Sequence, residues 1–368
     1  EKKLGIKSSS TRRVILENVQ VPVENVLGGV GKGAYIAFNI LNFGRFGLGA
    51  GAVGGSAEMI RTATKYALER QQFGRPIASF GLIQQKLAEM AAKTFAVDSA
   101  TYRTAGAIDE VMATGETMDL TNPPFPRGME EFAVECSILK VACSEVLFQV
   151  VDEGLQIHGG YGFSEEYTPA RSYRDARINR IFEGTNEINR LFIPSTLLRR
   201  AERGRFPVPQ TPPKPPALPG AGMAPLDRVG VLLQGAKQLA LWLTGMAVQK
   251  FGKQLVEQQE VVGAISDIVI EIFLDESALL RTKKHLAAGK TVTAMTDLTL
   301  SLMNDSVARM EQRATLVLAA CLTGDELNGA LGLARRCLPW TPVNVVEVRR
   351  RVAKRLCDVG TYPALVAG

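Results

Sequence analysis

The chain has 368 residues, of which 46% are hydrophobic and 22% charged, and its net charge is +6. This length allows two or more domains with separate cores, and the composition is typical of globular proteins. The charge suits anionic partners such as phosphorylated cofactors, but it is too scattered to predict a nucleic-acid partner. Five cysteines without a CxxC pair and only two histidines argue against a disulfide framework and a metal site.

The first thirty residues predict extended structure. Residues 4–27 are rich in β-branched side chains, such as Val14 and Val19, and Pro22 interrupts them. The glycine-rich stretch 28–33 is interpreted as a strand-to-helix connection, because it lacks the Gly-Lys-Ser/Thr ending of a phosphate loop. No apolar leader follows Glu1, and since the chain does not begin with Met, we expect a processed or truncated start.

From Ala34 onward the pattern is helical. One helix face is predicted by four apolar residues at helical spacing: Ile83, Leu87, Met90 and Ala91. A loop is expected over 121–126 and a second helix from about Glu130 to Gln156, followed by a loop over 157–164. A further helix should start near Thr185 or Asn186, either of which can cap it.

Seven prolines in residues 207–219 predict a semi-rigid extended linker. Beyond it, apolar stripes at helical spacing predict a small helical bundle over 226–357. One stripe consists of Leu232, Leu233, Ala236, Leu239, Ala240 and Leu243, and another of Leu300, Met303, Val307 and Met310. The stretch 229–248 has a second interpretation as a helix lying on a membrane surface, but its flanking charge is thin, which favours core packing.

Three segments, taken in order, carry the chemistry. They are ERQQFGRPI (69–77), QIHGGYGF (156–163) and RDAR (174–177) leading into IFEGTNE (181–187). By itself, Glu183 in the last segment is most simply a solvated carboxylate near a helix N-terminus. Together and at this spacing, the segments resemble the C-terminal helical domain of the acyl-CoA dehydrogenase family, and residues 40–46 and 80–84 are most similar to its very-long-chain type.

The resemblance implies a mainly α fold with four parts. Residues 1–30 would be the last strands of the middle β-domain, and residues 31–203 the flavin- and substrate-binding helical domain. Residues 204–225 would be the proline-rich linker and residues 226–368 an appended helical domain. The resemblance covers 1–203 strongly and 226–368 only in architecture. The family's N-terminal helical domain and first β-strands are not in this sequence, so we expect the chain by itself to be an inactive fragment.

The implied activity is α,β-dehydrogenation of fatty acyl-CoA thioesters. By resemblance, Glu183 abstracts the α proton, FAD accepts the β hydride, and an electron-transfer flavoprotein takes the electrons. No protein side chain accepts hydride, and a carboxylate abstracts a proton from carbon only where desolvation raises its pKa and the thioester carbonyl is hydrogen-bonded. Gly184 beside the base fits close passage of the substrate.

The resemblance also implies binding residues. Those for the cofactor are Arg70, Gln71, Gln72, Phe73, Phe80, Gly81, Gln156, Ile157, His158, Gly159, Gly160, Thr185, Asn186 and Glu187. Those for the substrate are Asn42, Phe43, Gly44, Arg45 and Gly184. Residues 156–160 would serve the FAD of a neighbouring subunit, and His158 has no acid–base role. The chain departs from many family members at Gly81 and Glu187, where they carry Gln, and Glu187 places a carboxylate near a phosphorylated cofactor.

Other functions stay open on the same fold. An acyl-CoA oxidase uses the same base, but oxygen reoxidises its flavin. A non-catalytic assembly protein or a nucleic-acid-binding member would need neither the base nor the flavin. The short length between the motifs and the lack of an oxidase-type large C-terminal flavin domain favour the dehydrogenase over the oxidase. Retention of Glu183 and the loop glycines favours it over the assembly protein, and no nucleic-acid partner is expected. We expect a homodimer or dimer of dimers, located in the cytoplasm of a bacterium or on the matrix side in a mitochondrion.

Overall fold

The computed structural model describes residues 1–113, 131–220 and 222–367. The predicted loop over 121–126 and the predicted helix start at Glu130 lie outside these ranges. Three long helices form the first half: α1 (Gly33–Glu69), α2 (Gly81–Met112) and α3 (Ala133–His158). Between α1 and α2, strands β1 (Gln71–Gln72) and β2 (Arg75–Pro76) pair antiparallel, with Gln71 opposite Pro76. The predicted helical character from Ala34 onward is confirmed.

Shorter helices lead to the second half. They are α4 (Gly160–Phe163), α5 (Thr168–Ala176) and α6 (Asn186–Glu202). The second half contains α7 (Pro225–Phe251), α8 (Gln259–Ala287), α9 (Thr293–Cys321), α10 (Gly324–Cys337), α11 (Val345–Val359) and α12 (Tyr362–Leu365). Single 3-10 turns lie at Val23–Asn25, Ile77–Ser79, Arg177–Arg180 and Gly252–Glu257. The predicted start of a helix at Thr185 or Asn186 is confirmed, since Thr185 caps α6.

The N-terminal segment differs from its prediction. Residues 1–32 form no strand, and their regular structure is the turn Val23–Asn25. A strand is completed by backbone hydrogen bonds to a neighbouring strand, and within the described residues no strand lies beside this segment. Its apolar side chains, such as Val14 and Ile15, are therefore exposed. The segment is held instead by Ile6, whose N–H donates to Asp175 Oδ1 of α5 at 2.5 Å.

The predicted loop over 157–164 is also corrected. Helix α3 continues to His158, and α4 begins at Gly160, so most of this stretch is helical. Gly159 separates the two helices with a φ of 59°, a conformation that glycine adopts without steric cost. The pair of glycines therefore redirects the chain between two helices and does not open a loop.

One hydrophobic core runs through both halves of the chain, from Ala52 in α1 to Val366. On α2, Leu87, Met90 and Ala91 are buried as predicted. Both apolar stripes of the second half also point into this core: Leu232, Leu239, Leu243, Met303 and Met310 are fully buried. The predicted helical bundle is confirmed, and its stripe on α7 packs in the core and does not face outward. No helix in the described ranges combines the length and apolarity that crossing a bilayer requires.

The proline-rich segment lies tightly against α7. A Cβ added at Gly245 would come within 2.1 Å of the Pro209 carbonyl oxygen, and one at Gly235 within 3.0 Å of the Pro216 side chain. Glycines on α7 therefore let the extended segment approach the helix backbone. The predicted linker has neither helix nor strand, and it contacts α7 at Pro209 and Pro216, whereas Leu218 is exposed.

Arg190 joins three helices where the two halves meet. From α6 it donates two hydrogen bonds to the Glu145 carboxylate of α3, at 2.8 and 2.9 Å, and one to Asp267 of α8 at 2.7 Å. Burial alone would raise the pKa of Glu145, but the hydrogen bonds and charge of Arg190 hold that pKa below its ordinary value. The paired charges thus fix α6 against both halves.

We expect Arg190→Met to lower the free energy of unfolding by about 3 kcal/mol, because Glu145 and Asp267 lose their shared partner. Urea unfolding at neutral pH measures this. Since the folded-state pKa of Glu145 is lowered, its stabilising contribution is present above the ordinary carboxyl pKa and is lost as pH falls through the folded value. The difference between wild type and variant should therefore shrink in acid. Arg61→Met, in an exposed pair with Glu58, is the control and should change little.

Candidate active site

Glu183 lies in a tight turn between the 3-10 turn Arg177–Arg180 and α6. Its φ is 60° and that of Gly184 is 78°, both in the left-handed region. A non-glycine residue there costs free energy, and such residues concentrate at functional sites. Asn189, fully buried on α6, holds the turn by donating from Nδ2 to the carbonyls of Gly184 at 2.8 Å and Thr185 at 3.0 Å. The turn is therefore fixed from its own helix.

Arg45 of α1 holds the same turn from the other side. Its Nε donates to the Glu183 carbonyl at 3.2 Å, and its Nη1 reaches Asn42 Oδ1 and Ser137 Oγ, each at 3.4 Å. The guanidinium also lies over the Phe192 ring, 5.3 Å from its centroid. Burial lowers the pKa of Arg45, although the nearby Glu183 opposes that shift. The carbonyl group that Arg45 binds in this structure is therefore one of the protein's own, that of Glu183.

The Glu183 carboxylate lies against the backbone of α1 at Gly44. A Cβ added at Gly44 would stand 2.5 Å from Glu183 Oε2. Any side chain there would push the carboxylate away, because real Cβ contacts are longer. The absence of a side chain at Gly44 thus leaves an opening in the surface of α1, and the Glu183 carboxylate lies in that opening. Phe43, beside it, packs against the small apolar cluster of Ile108 and Cys136.

A basic cleft of about 850 Å³ opens beside this turn. Asn42 and Arg45 contribute to it from the Glu183 side, and Phe38 and Phe192 supply apolar walls. Its rim carries four further arginines, Arg199, Arg200, Arg203 and Arg205, together with Glu131. Glu131 pairs with Arg205, so the rim keeps a surplus of positive charge.

The structure brings two of the predicted cofactor segments together. Arg70, Gln71, Gln72 and Phe73 are exposed around the β1–β2 hairpin. The Arg70 guanidinium lies 5.8 Å from the ring centroid of Tyr161, on the segment after Gly160. Phe73 meets Phe80 edge-on at 6.0 Å, just before Gly81. Gln156, Gly159 and Gly160 are also exposed, so both segments present polar groups at one surface.

Three predicted cofactor residues are buried, and their side chains support the fold. Ile157 lies in the core. His158 stacks on Tyr66 with ring centroids 4.2 Å apart, and its Nδ1 lies 2.7 Å from the Gly154 carbonyl. Asn186 is 1% exposed, and its amide is bonded to α3. These side chains are therefore not free to reach a cofactor, and a contact through their backbone stays a prediction.

Glu187 is exposed at the first turn of α6. Its own backbone N–H and then the Thr185 hydroxyl lower its pKa, so the carboxylate is charged at neutral pH. A negative charge at a helix N-terminus is favourable for the helix. This accounts for the residue without a ligand.

Ser137, Lys140, Asn189 and the arginines of the cleft rim are not among the residues that the sequence predicted for the site. A signal for the first two exists, since Ser137, Lys140 and Ser144 are polar residues at helical spacing inside an apolar helix. A basic patch is also indicated by the closely spaced arginines Arg199, Arg200, Arg203 and Arg205. Asn189 carries no comparable signal.

Two family models, both described as acyl-CoA dehydrogenase C-terminal domain, match residues 31–198 and 235–336. The chain belongs to the acyl-CoA dehydrogenase family. It is 42% identical to the probable acyl-CoA dehydrogenase of Bacillus subtilis over 98% of this chain and 62% of that protein. It is 43% identical to the human mitochondrial very long-chain specific acyl-CoA dehydrogenase over 78% of this chain and 45% of that protein.

Among solved structures, an acyl-CoA dehydrogenase of Bacillus anthracis complexed with FAD superimposes with a TM-score of 0.92. It is 43% identical, and the match covers 98% of this chain and 63% of that one. The chain therefore spans less than two thirds of the length of these relatives. The match extends through the second half, so the packing of α7–α12 onto the first half is shared with the solved structure.

Proposed function

We propose that the protein carries out FAD-dependent α,β-dehydrogenation of fatty acyl-CoA thioesters, with Glu183 as the base that removes the α proton. The observation that supports this most directly is the placement of Glu183. Its carboxylate lies at the glycine opening of α1, in a turn that is held from two sides, next to a basic cleft.

The proposed reaction breaks two C–H bonds of the acyl chain and forms one C=C bond. Glu183 takes the α hydrogen as a proton on its carboxylate and ends the step protonated. FAD, when bound, supplies the acceptor for the β hydrogen, which leaves as a hydride. The Glu183 N–H is the proposed donor to the thioester carbonyl, which acidifies the α carbon. Arg45 and Asn189 keep the carboxylate and this N–H in a fixed relation.

The chemistry of the exposed hairpin fits a dinucleotide such as FAD. Arg70 offers a guanidinium and Gln71 and Gln72 offer amide donors, and these groups suit the oxygens of a pyrophosphate. Gly159 and Gly160 have open space where a Cβ would stand, which leaves their backbone accessible. In our proposal residues 156–160 serve the FAD of a neighbouring subunit in a homodimer or dimer of dimers.

The basic cleft supports an anionic substrate. Coenzyme A carries phosphates, and Arg199 and Arg203 on the cleft rim are exposed. Their guanidinium groups match phosphate oxygens in charge and geometry. The cleft leads from this rim to Asn42 and Arg45, so we propose that the thioester end of the substrate points toward Glu183.

The test uses the full-length gene product, loaded with FAD, and a panel of fatty acyl-CoA thioesters under anaerobic conditions. Substrate should bleach the visible absorbance of the flavin. The proposed partner, an electron-transfer flavoprotein, should restore the colour faster than air does, whereas rapid recovery in air would identify an oxidase. Absence of bleaching with every chain length refutes the proposal.

We also propose a cytoplasmic location in a bacterium and the matrix side in a mitochondrion.

A further inference from the structure

A row of buried polar side chains lies on the face of α3 that meets the Glu183 turn. Ser137, Lys140 and Ser144 are spaced three and four residues apart, so they share one face of the helix. Each is fully buried, with none of its surface exposed. The neighbours of this row on α3 are mainly apolar core residues. Burying the ammonium group of Lys140 among apolar residues costs free energy, so its presence here needs an explanation.

The row contacts both sides of Glu183. At one end, Ser137 Oγ accepts a hydrogen bond from Arg45, whose Nε donates to the Glu183 carbonyl. At the other end, Lys140 Nζ donates to Asn186 Oδ1 at 2.6 Å. Ser144 is within hydrogen-bond distance of the same Asn186 amide, at 3.1 Å from Nδ2. Residues 183 and 186 are therefore tied to one helix through separate contacts.

Asn186 is the first residue of α6, three positions after Glu183. Its amide uses both ends, since Oδ1 accepts from Lys140 and Nδ2 donates to Ser144 and to Glu145 Oε1 at 3.0 Å. A residue held this way fixes where α6 begins. Arg45 holds the Glu183 carbonyl, so only residues 184 and 185 connect that fixed point to Asn186. Such a short connection is compatible with the left-handed φ at Glu183.

Burial of the lysine is costly and needs compensation. Burial is the largest cause that lowers the pKa of Lys140, to about 8, and Arg45 on α1 adds to it. Glu187 on α6, Glu145 on α3 and Glu183 itself act in the opposite direction. Within the described residues, the hydrogen bond of Nζ is the one to Asn186. An apolar side chain would fill this position without that cost.

We propose that Lys140 is a positioning residue, which acts through Asn186 to hold the Glu183 turn in its left-handed conformation with the carboxylate at Gly44. This rests on the proposed role of Glu183 as the base. Lys140 itself does not touch the substrate in this scheme. Its loss should free the start of α6 and let the carboxylate leave the opening in α1.

The test compares Lys140→Met with Lys86→Met by hydrogen–deuterium exchange of the full chain. Lys86 pairs with Glu153, which lies on the same α3 but thirteen residues beyond Lys140, about 20 Å along the axis. Lys140→Met should speed exchange in a peptide covering 183–190 by about tenfold, and Lys86→Met should leave it unchanged. Unchanged exchange at 183–190 in Lys140→Met, or equal acceleration throughout α9, overturns the proposal.

The pH dependence of unfolding is a second readout. The pKa of Lys140 is about 8 in the folded chain and near 10.5 when unfolded, so the unfolded state binds more protons between these values. Stability from this group therefore rises with pH across that window. The free energy of unfolding of wild type minus that of Lys140→Met should therefore rise across that window. A difference that stays constant shows that Lys140 is not held as a buried ammonium, which contradicts the proposal. Lys140→Gln keeps an amide donor but no charge, so it should lack this contribution and should leave exchange at 183–190 closer to wild type than Lys140→Met does. Exchange at 183–190 in Lys140→Gln as fast as in Lys140→Met contradicts the role of the hydrogen bond to Asn186.

Turnover separates this inference from the proposed function. In the FAD-loaded protein, Lys140→Met should lower kcat about tenfold with little change in KM, because the base and not the binding cleft is displaced. If Glu183→Gln abolishes turnover but Lys140→Met keeps full kcat with faster exchange at 183–190, the positioning role is wrong and the base assignment stands. If Glu183→Gln keeps turnover, the proposed function fails, whatever the exchange result.

Discussion

Glu183→Gln is expected to lower turnover of a fatty acyl-CoA by about 10³-fold or more in the FAD-loaded protein. The amide has nearly the shape of the carboxylate but cannot accept the α proton. The contacts that hold the turn involve the backbone of residues 183–185, so they survive the substitution. Steady-state turnover with an electron-acceptor dye measures the loss, and unchanged thermal unfolding establishes that the fold is intact.

Glu187→Gln is the matched control for this prediction. Glu187 lies in the same segment, four residues later, but its carboxylate is exposed on the first turn of α6. The variant also restores the residue that many family members carry there. It should keep most of the wild-type turnover. Near-normal turnover of Glu183→Gln would show that Glu183 is not the base. Equal losses in the two variants would show that the Glu183→Gln loss is not specific to the proposed base.

Gly44→Ala should reduce turnover by about 10²-fold while the fold remains stable. The new methyl group would stand 2.5 Å from Glu183 Oε2, so the carboxylate has to move by an ångström or more. A displacement of this size is enough to cost two orders of magnitude in rate. The carboxylate is the flexible end of a side chain, and Ala favours the helix, so thermal unfolding should shift little or slightly upward.

Gly47→Ala makes the same chemical change three residues further along α1. A Cβ at Gly47 would meet no atom within 4 Å. This control should show the helix-stabilising effect of alanine with turnover close to wild type. A loss of turnover in Gly47→Ala comparable to that in Gly44→Ala would mean that flexibility of α1, and not the position of Glu183, governs the rate.

The helices were largely predictable from local patterns. Apolar residues at helical spacing identified the buried faces of α2, α7 and α9, and the cap at Thr185 marked the start of α6. These features depend on residues within one or two turns of each other. The strands expected in residues 1–30 did not form, because a strand needs a partner that local sequence does not specify.

The candidate base was identified by motif, but its surroundings were not. The Arg45 contact to the Glu183 carbonyl joins residues 138 positions apart, and its contact to Ser137 joins residues 92 apart. Asn42–Arg45 and Thr185–Glu187 were predicted to bind ligands. In the structure the side chains of Arg45 and Asn186 are hydrogen-bonded to protein groups. Side-chain chemistry predicts what a group can bind, whereas the nearest partner depends on how the helices pack.

Glu183, its flanking glycine and the order of the segments around it could be recognised in the linear sequence, because these residues lie close together along the chain. Three features followed only from how the helices pack: Gly44 faces the carboxylate, Lys140 is buried beneath Asn186, and α7–α12 share one core with α1–α3. Burial and hydrogen bonding are properties of the packed helices, since each depends on which surfaces meet and exclude water. The chemistry proposed for Glu183 is therefore local, and the positioning of its carboxylate is a property of the whole fold.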